Sequence, residues 1–148
     1  MTHQLNIKSL GLPLAKLIGL VNQHKELLLN QYLAPFNISS AQFKVLAAVH
    51  YYEINSPAEL SKYLTIDGGS MTRMVSRLVK KELLDKQPNP KDKRAVILQL
   101  TIAGKVLLDQ CVECLDNQVA PLLTGDLSVQ EIELLSALLT RLLPTRAT

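Results

Sequence analysis

Apolar residues recur at three- and four-residue intervals along most of the chain, a period typical of amphipathic helices. The first such stretch runs from Leu12 to Leu33, and Pro13 suits the first turn of a helix there. The apolar positions on this helix form a wide face: Leu10, Leu14, Leu17, Ile18, Leu20, Val21, Leu27, Leu28, Leu29 and Tyr32. A face this wide is hard to bury within one small subunit, so we expect a partner chain to cover it.

Capping residues predict where the next two helices begin. Ser39 and Gln42 have the spacing of a capping box, so a second helix should start there. We expect one face of it to carry Phe43, Leu46, Ala47 and His50. The segment Ser56-Pro57-Ala58-Glu59 combines a capping serine, a proline at the first helical position and a glutamate three residues after the cap. It predicts a short helix that stops by Leu64.

A fourth helix is predicted after the turn residues Thr65 to Gly69, with Asp67 placed to cap it. We expect this helix to run to about Leu84. Its inward positions are predicted to be Met71, Val75, Leu78 and Val79, and its outward positions Ser70, Arg73, Ser76, Arg77 and Lys80.

Beyond this helix the pattern changes to that of a β-hairpin. Gln87 to Lys93 is rich in turn-forming residues, and Arg94 to Leu100 alternates as a strand. Two more helices follow, the first capped by Thr101 and the second opened by a capping box at Ser128. The predicted fold class is mainly α with a small β wing.

Composition narrows the class of protein. The chain has 148 residues, of which 47% are hydrophobic but only 4% aromatic, with no Trp, so aliphatic side chains must form the core. No apolar run approaches the roughly 20 residues needed to span a bilayer, and the N-terminus lacks the pattern of a secretion signal. Two cysteines without an export signal indicate reduced thiols. We therefore expect a cytoplasmic protein with no membrane partner.

The distribution of charge is more informative than its total. Between Ser70 and Arg94 there are eight basic residues and three acidic ones, a surplus of five within a net charge of +3. The rest of the chain is therefore slightly acidic. A basic segment of this kind indicates a module that binds a polyanion, although an ordinary solvated charged surface has the same composition.

The predicted order of a short capped helix, a tight turn, a basic helix and a basic hairpin is that of a winged helix-turn-helix. The basic helix fits the major groove of DNA, where Ser70 and Thr72 can reach base edges or phosphates and Arg73 and Arg77 can read guanine. The hairpin can place a cation in the minor groove. The cations expected at the hairpin tip are Lys91, Lys93 and Arg94. On pattern alone, a helical scaffold with a charged surface is the alternative interpretation.

Several segments carry a family resemblance. Asp67-Gly68-Gly69-Ser70-Met71-Thr72-Arg73-Met74-Val75-Ser76-Arg77-Leu78 is followed by Asn89-Pro90-Lys91-Asp92-Lys93-Arg94, and Ala41-Gln42-Phe43-Lys44-Val45-Leu46 and Val21-Asn22-Gln23 precede both. Together they resemble the MarR/SlyA family of transcription regulators over nearly the whole chain. The pair Asp92 and Arg94 in the hairpin is the most specific element.

The resemblance implies an obligate homodimer on a pseudo-palindromic duplex operator. Residues 1–36 and 101–148 would form the dimerisation helices, and residues 37–100 the DNA-binding lobe. It also implies repression of an efflux, resistance or stress operon, relieved by small aromatic acids or phenols such as salicylate.

The resemblance also assigns roles to individual residues. Asp67 and Asp92 would orient the helix and the wing by ion pairing, and Arg94 would be the wing arginine. The recognition-helix positions are Ser70, Met71, Thr72, Arg73, Ser76 and Arg77. The ligand positions are Pro57, Ser70, Thr72, Met74, Arg77 and Lys86.

Two positions depart from the family pattern. Lys86 stands where an arginine is expected, which keeps the charge but loses the bidentate fork for a carboxylate. Lys80 stands where an oxidisable cysteine is expected, so a thiol switch at that position is excluded.

Cysteine and histidine raise competing interpretations. Cys111 and Cys114 form a C-x-x-C, but they lie within a helical stripe without a second pair of ligands, so we expect core thiols. His3 and His24 are isolated in the sequence, and His50 is expected to pack with a hydrogen bond rather than bind metal. We find no motif of an enzyme and expect no cofactor. A redox sensor using the two cysteines, and a regulator without a small-molecule ligand, remain as alternatives.

Overall fold

The computed structural model describes residues 11–145, so the positions predicted at His3 and Leu10 lie outside the described part. A 3-10 turn at Ala34–Phe36 follows the first helix, and a π turn spans Leu115–Val119. The structure is mainly helical with a two-stranded antiparallel wing, which confirms the predicted fold class. The elements are α1 Gly11–Leu33, α2 Ser40–Tyr51, α3 Pro57–Leu64, α4 Gly68–Lys80, β1 Leu84–Asn89, β2 Asp92–Leu100, α5 Ile102–Cys114, α6 Ala120–Thr124 and α7 Val129–Leu142.

The predicted helix starts are confirmed by their caps. At α2, Ser39 Oγ accepts from the backbone N–H of Gln42 (3.1 Å), and the Gln42 side chain accepts from the backbone N–H of Ser39 (3.2 Å). A second reciprocal box opens α7 at Ser128. Ser56 caps α3 through the N–H of Glu59 (3.2 Å). These contacts span three residues, which is why local spacing was enough to predict them.

The predicted end of α4 near Leu84 is wrong, because the helix stops at Lys80. Glu82 takes a left-handed conformation (φ 60°), and the backbone N–H of Leu83 donates to Leu78 O over 3.0 Å. This is the hydrogen-bond pattern of a Schellman end, usually marked by glycine. With glutamate at that position, the sequence carried no sign of the stop, and Leu84 instead begins β1.

The wing is also longer than predicted. The strands enter the segment assigned to the turn, so that only Pro90 and Lys91 connect Asn89 to Asp92. A register irregularity lies between Pro88 and Asn89. A two-stranded ribbon tolerates proline because each strand has an unpaired edge. The prolines in this stretch indicated a turn in the sequence, and β1 was therefore not predicted.

The predicted inward face of α2 is partly wrong. The buried apolar residues are Val45, Leu46, Ala48 and Val49, whereas His50 is exposed and makes an edge-to-face contact with Tyr51 at 4.9 Å. A buried packing role for His50 is therefore incorrect. Helix α2 contacts α1, α3, α5 and β2, so it is covered on several sides and a single apolar stripe does not describe it.

The core lies within the predicted DNA-binding lobe and the segments next to it. It joins the end of α1, helices α2 to α4, the base of the wing and α5. Its fully buried large side chains include Leu33, Leu46, Leu60, Met71, Leu78, Leu84, Leu98 and Leu108. None of the helices among residues 11–145 combines the length and apolar character needed to cross a bilayer.

Helices α1 and α7 leave a large apolar surface uncovered. No residue of α7 is buried, and in α1 only Leu33 is. We call this surface the apolar face; its exposed residues are Leu12, Leu14, Leu17, Ile18, Leu20, Val21 and Leu27 of α1 and Leu134, Leu135, Leu138, Leu139 and Leu142 of α7.

The start of α5 is held tightly against the short segment between α4 and β1. Thr101 caps α5 through the N–H of Gly104 (2.9 Å), and its hydroxyl donates to Glu82 O (2.7 Å). A Cβ at Gly104 would lie 2.1 Å from Leu83 O, a distance that excludes any side chain. This close approach connects the wing to the C-terminal helices.

We expect Gly104→Ala to lower the free energy of unfolding by about 1–3 kcal/mol, because the new methyl group meets backbone that cannot move aside. Thermal unfolding followed by circular dichroism should show the melting temperature falling by roughly 5–10 °C. Gly68→Ala is the matched control, since a Cβ there meets nothing within 4 Å. Equal melting temperatures for the two variants would contradict the steric argument.

Candidate nucleic-acid interface

Asp67 defines the start of α4. Its Oδ1 accepts from the backbone N–H of Ser70 (2.9 Å) while Asp67 itself is extended. That hydrogen bond, with a smaller contribution from the charge of Arg73, lowers the pKa of the Asp67 carboxyl below its usual value. The carboxylate is thus engaged with the helix N-terminus and directs the first turn of α4.

The outer face of α4 is free to meet a ligand. Thr72, Arg73, Ser76 and Arg77 are exposed, and Ser70 is half-buried. All five were predicted as recognition-helix positions, and the structure places them on one side of the helix.

Met71 does not belong to that face. Its side chain is 0% exposed and packs in the core. The assignment of Met71 to DNA contact is therefore incorrect, because its burial anchors the helix instead. Val75 and Leu78 are buried with it, as the helical period predicted.

Side-chain hydrogen bonds order the first turns of α4. Arg73 Nη2 donates to Ser70 Oγ (3.1 Å), and Thr72 Oγ1 donates to Gly68 O (2.9 Å). The Ser70 side chain also interacts with the Asp67 carboxylate, and this interaction helps to lower the pKa of that carboxyl. Thr72 retains lone pairs that can accept from a base amino group.

The wing tip presents its cations in an ordered turn. The Lys91 N–H donates to Asn89 Oδ1 (2.9 Å), and the Arg94 N–H donates to Asp92 Oδ1 (3.0 Å). Lys91, Lys93 and Arg94 are all exposed. The backbone bonds fix the turn while the basic side chains remain available.

The expected ion pairing of Asp67 and Asp92 is not what the structure shows. Neither carboxylate lies within 4.0 Å of a Lys or Arg nitrogen among residues 11–145, where the ion pairs centre on Glu26. Both aspartates instead accept backbone N–H groups. They orient the helix and the wing, but by hydrogen bonds rather than by ion pairs.

Lys81 was assigned to the polyanion-binding segment by the charge count alone, and this assignment is wrong. It was counted with the basic segment, but its ammonium donates to Asn37 O and to Gln42 Oε1 (3.2 Å). It therefore ties the end of α4 to the start of α2. The distinction rests on contacts across about 40 residues, which no local pattern contains.

The six predicted ligand positions lie on neighbouring elements, because α3 packs on α4 and α4 contacts β1. Thr72, Arg77 and Lys86 are exposed, whereas Pro57, Ser70 and Met74 are half-buried. They do not line the cavity of about 550 Å³ near the end of α2, whose lining residues are Val49, His50, Glu53, Asn55, Ile97, Leu98, Gln99, Leu100 and Lys105.

The prediction of buried core thiols is confirmed for Cys111 but not for Cys114. Cys111 is buried in the core, and burial, with the neighbouring Cys114, raises the pKa of its thiol to about 11. Cys114 is half-buried, with its sulfur 3.9 Å from Tyr32 O. Within residues 11–145 we find no group of three His, Cys, Asp or Glu side chains that could hold a metal ion.

Comparisons with known proteins agree with this architecture. The model of the MarR family matches residues 38–96. The chain is 42% identical to the multiple antibiotic resistance protein MarR of Escherichia coli K12, over 90% of this chain and 92% of that protein.

Solved structures extend the likeness to three dimensions. A cysteine-to-serine mutant of E. coli MarR complexed with operator DNA has a TM-score of 0.81 at 40% identity, covering 94% of this chain and 99% of that one. Bordetella bronchiseptica BpsR, at 25% identity, has a TM-score of 0.77 with 88% and 98% covered. The chain therefore belongs to the MarR family of winged helix-turn-helix, DNA-binding transcription regulators.

Proposed function

We propose that this regulator is a homodimeric cytoplasmic repressor that binds a pseudo-palindromic duplex site upstream of a resistance, efflux or stress operon. The observation that carries the proposal is that the basic face of α4 and the cations of the wing are both exposed. The operator complex of E. coli MarR, which has the same fold, adds support.

The division of labour on DNA follows from side-chain reach. Arg73 and Arg77 project from a slim helix that fits the major groove, where an arginine fork matches the O6 and N7 acceptors of guanine. Arg94 projects from the wing towards the minor groove, whose narrow A·T-rich stretches concentrate negative potential. Lys91 and Lys93 neutralise phosphates without reading sequence.

The apolar face on α1 and α7 supports the dimer. Leu17 is 59% exposed and Leu135 46%, and Leu14 of α1 lines one cavity together with Leu135, Leu138, Leu139 and Leu142 of α7. A monomer rarely exposes so many large aliphatic side chains in one region. A second copy of the chain has the matching face and would hold two α4 helices at a fixed separation.

The proposed effector is a small anionic aromatic molecule such as salicylate. Arg77 and Lys86 supply exposed cations on neighbouring elements, with Thr72 as a hydroxyl and Pro57 and Met74 as half-buried apolar groups. A flat ring with a carboxylate needs this combination of charge and apolar contact. In BpsR, 6-hydroxynicotinic acid, an aromatic acid, regulates DNA binding.

Two alternatives remain. A redox sensor using Cys111 and Cys114 is disfavoured, because a buried thiol with a raised pKa has little reactive thiolate at neutral pH. The other alternative is a regulator without a small-molecule ligand. The exposure of Lys86 is the observation that favours it, because water competes with a ligand for an exposed cation.

We expect Arg94→Ala to weaken binding to the operator by about 1–3 kcal/mol, because an inserted cation is lost. The logarithm of the association constant should also fall steeply with the logarithm of salt concentration, since several phosphates are neutralised. The test duplex is one that the parent chain selects from a pool of random sequences. Fluorescence anisotropy on this duplex measures both the affinity and its salt dependence. Lys105→Ala removes an exposed charge on α5 as the matched control. Wild-type affinity in Arg94→Ala would contradict the wing assignment.

For the dimer, we expect sedimentation to show a folded species of twice 16.4 kDa at sub-micromolar concentration. Leu135→Glu should raise the dissociation constant of the dimer by about 100-fold, because a charge enters the apolar face. Glu133→Gln changes an exposed charge on the same helix and should have no effect. A stable folded monomer of the parent chain would refute the proposed assembly.

For the effector, we expect salicylate to bind with a dissociation constant between about 0.1 and 1 mM, because a lysine holds a carboxylate as a point charge. Calorimetry should show weaker binding by Lys86→Ala with operator affinity largely retained, and recovery in Lys86→Arg. Equal salicylate affinity in parent and alanine variant would remove Lys86 from the site. No heat of binding in any of the three would support the ligand-independent alternative.

A further inference from the structure

A cluster of polar side chains joins α1 to the start of α2. The carboxylate of Glu26, in α1, accepts from Ser40 Oγ (2.7 Å) through Oε2 and from the Lys44 ammonium through Oε1. Lys25, the neighbour of Glu26 in α1, lies 3.2 Å from the same Oε1. We call Glu26, Asn30, Ser40 and Lys44, which make the bonds between α1 and α2, the junction cluster.

Ser40, the first residue of α2, is held from two sides. Its hydroxyl binds Glu26, and its backbone N–H donates to Asn30 Oδ1 (2.9 Å). The Asn30 amide in turn donates to Glu26 O (3.0 Å). Ser40 is 1% exposed, the one buried polar residue among residues 11–145. Loss of either hydrogen bond while Ser40 stays buried would leave a polar group without a partner, which costs free energy.

The cluster keeps Glu26 charged. Burial raises the pKa of this carboxyl, but hydrogen bonds from Lys44, Ser40 and Lys25 outweigh burial and lower the pKa to about 2. The folded-state pKa thus lies below the ordinary value of 4.5, so the stabilisation is complete at neutral pH and is lost only as the pH falls towards 2. Charge-assisted bonds of this kind are stronger than neutral ones.

Helices α1 and α5, from the predicted dimerisation part, share a core with the DNA-binding lobe, and two further contacts lie at this junction. At the α5 contact, Gly104 lies against Leu83 O with no space for a side chain, so sterics limit movement. At the α1 contact, the junction cluster holds α2 by directed polar bonds. A change in the angle between α1 and α2 would have to break the bonds of Ser40 and Lys44 to Glu26.

We propose that Glu26 is a positioning residue that fixes the angle between the dimerisation helices and the DNA-binding lobe, and so sets the distance between the two recognition helices of the dimer. This role rests on the proposed dimer. Successive major grooves on one side of the duplex are about 34 Å apart, so a lobe held at one angle fits one spacing of half-sites.

Pulsed dipolar spectroscopy on the full-length dimer tests the role without DNA. A spin label goes on Lys80→Cys, exposed at the end of α4, with Cys111→Ala and Cys114→Ser in the background. We expect one narrow distance distribution in the parent. Glu26→Gln should broaden it at least about twofold, because the charged acceptor of Ser40 and Lys44 is lost.

Matched variants separate positioning from general stability. Lys25→Gln removes the ion pair that lies within α1 and should leave the distribution narrow, whereas Lys44→Gln should broaden it as Glu26→Gln does. Glu26→Asp keeps the charge, so its distance distribution should be narrower than that of Glu26→Gln. A narrow distribution in Glu26→Gln, or equal broadening in Lys25→Gln, overturns the proposal. Absence of any dipolar signal in the parent would instead refute the dimer.

The second readout is tolerance of operator spacing. On selected duplexes with one base pair inserted between half-sites, we expect the parent to lose about tenfold in affinity and Glu26→Gln about threefold or less. If Glu26 only stabilised the fold, Glu26→Gln would weaken binding by the same factor at every half-site spacing. Equal spacing profiles for parent and Glu26→Gln would therefore also overturn the proposal.

Discussion

The burial of the inner face of α4 is the constraint on which the rest of the structure depends. Met71, Val75 and Leu78 are at most 1% exposed, in a core shared with α2, α3, α5 and the base of the wing. Since these three side chains cannot turn without opening the core, the opposite face of the helix must point outward. The exposure of Arg73 and Arg77 is a consequence of that packing rather than of their charge.

Charged side chains serve two separate purposes. Asp67, Asp92 and Lys81 are engaged with backbone or amide groups of the protein and hold α4 and the wing in place. Arg77 and Arg94 are exposed and can meet an anion. Net charge does not distinguish these uses, because a cation that binds a carbonyl oxygen and one that faces solvent count alike. For a polyanion partner, only the second group contributes counterion release.

The chain is tightly packed in one part and leaves apolar surface uncovered in another. The lobe from α2 to β2 has a continuous core, but α1 and α7 expose a surface of large aliphatic side chains. Between the two parts lie a steric contact at Gly104 and a charged contact at Glu26. The proposed dimer would place two helices on one duplex, and it would need a stiff connection of this kind because base contacts tolerate little displacement.

The sequence alone determined the features that depend on neighbours a few residues apart. The caps at Ser39, Ser56, Asp67 and Ser128, the helical stripes and the basic character of the wing follow from local spacing, and so the fold class and the outer face of α4 were predictable.

Only the tertiary structure decided what depends on distant partners. Helix α4 ends at Lys80 and His50 faces solvent because of how the elements pack around them. Ser40 is buried against Glu26, which lies 14 positions earlier in the chain. Such contacts carry no periodic pattern in the sequence, since the residues that make them become neighbours only when the core brings their helices together.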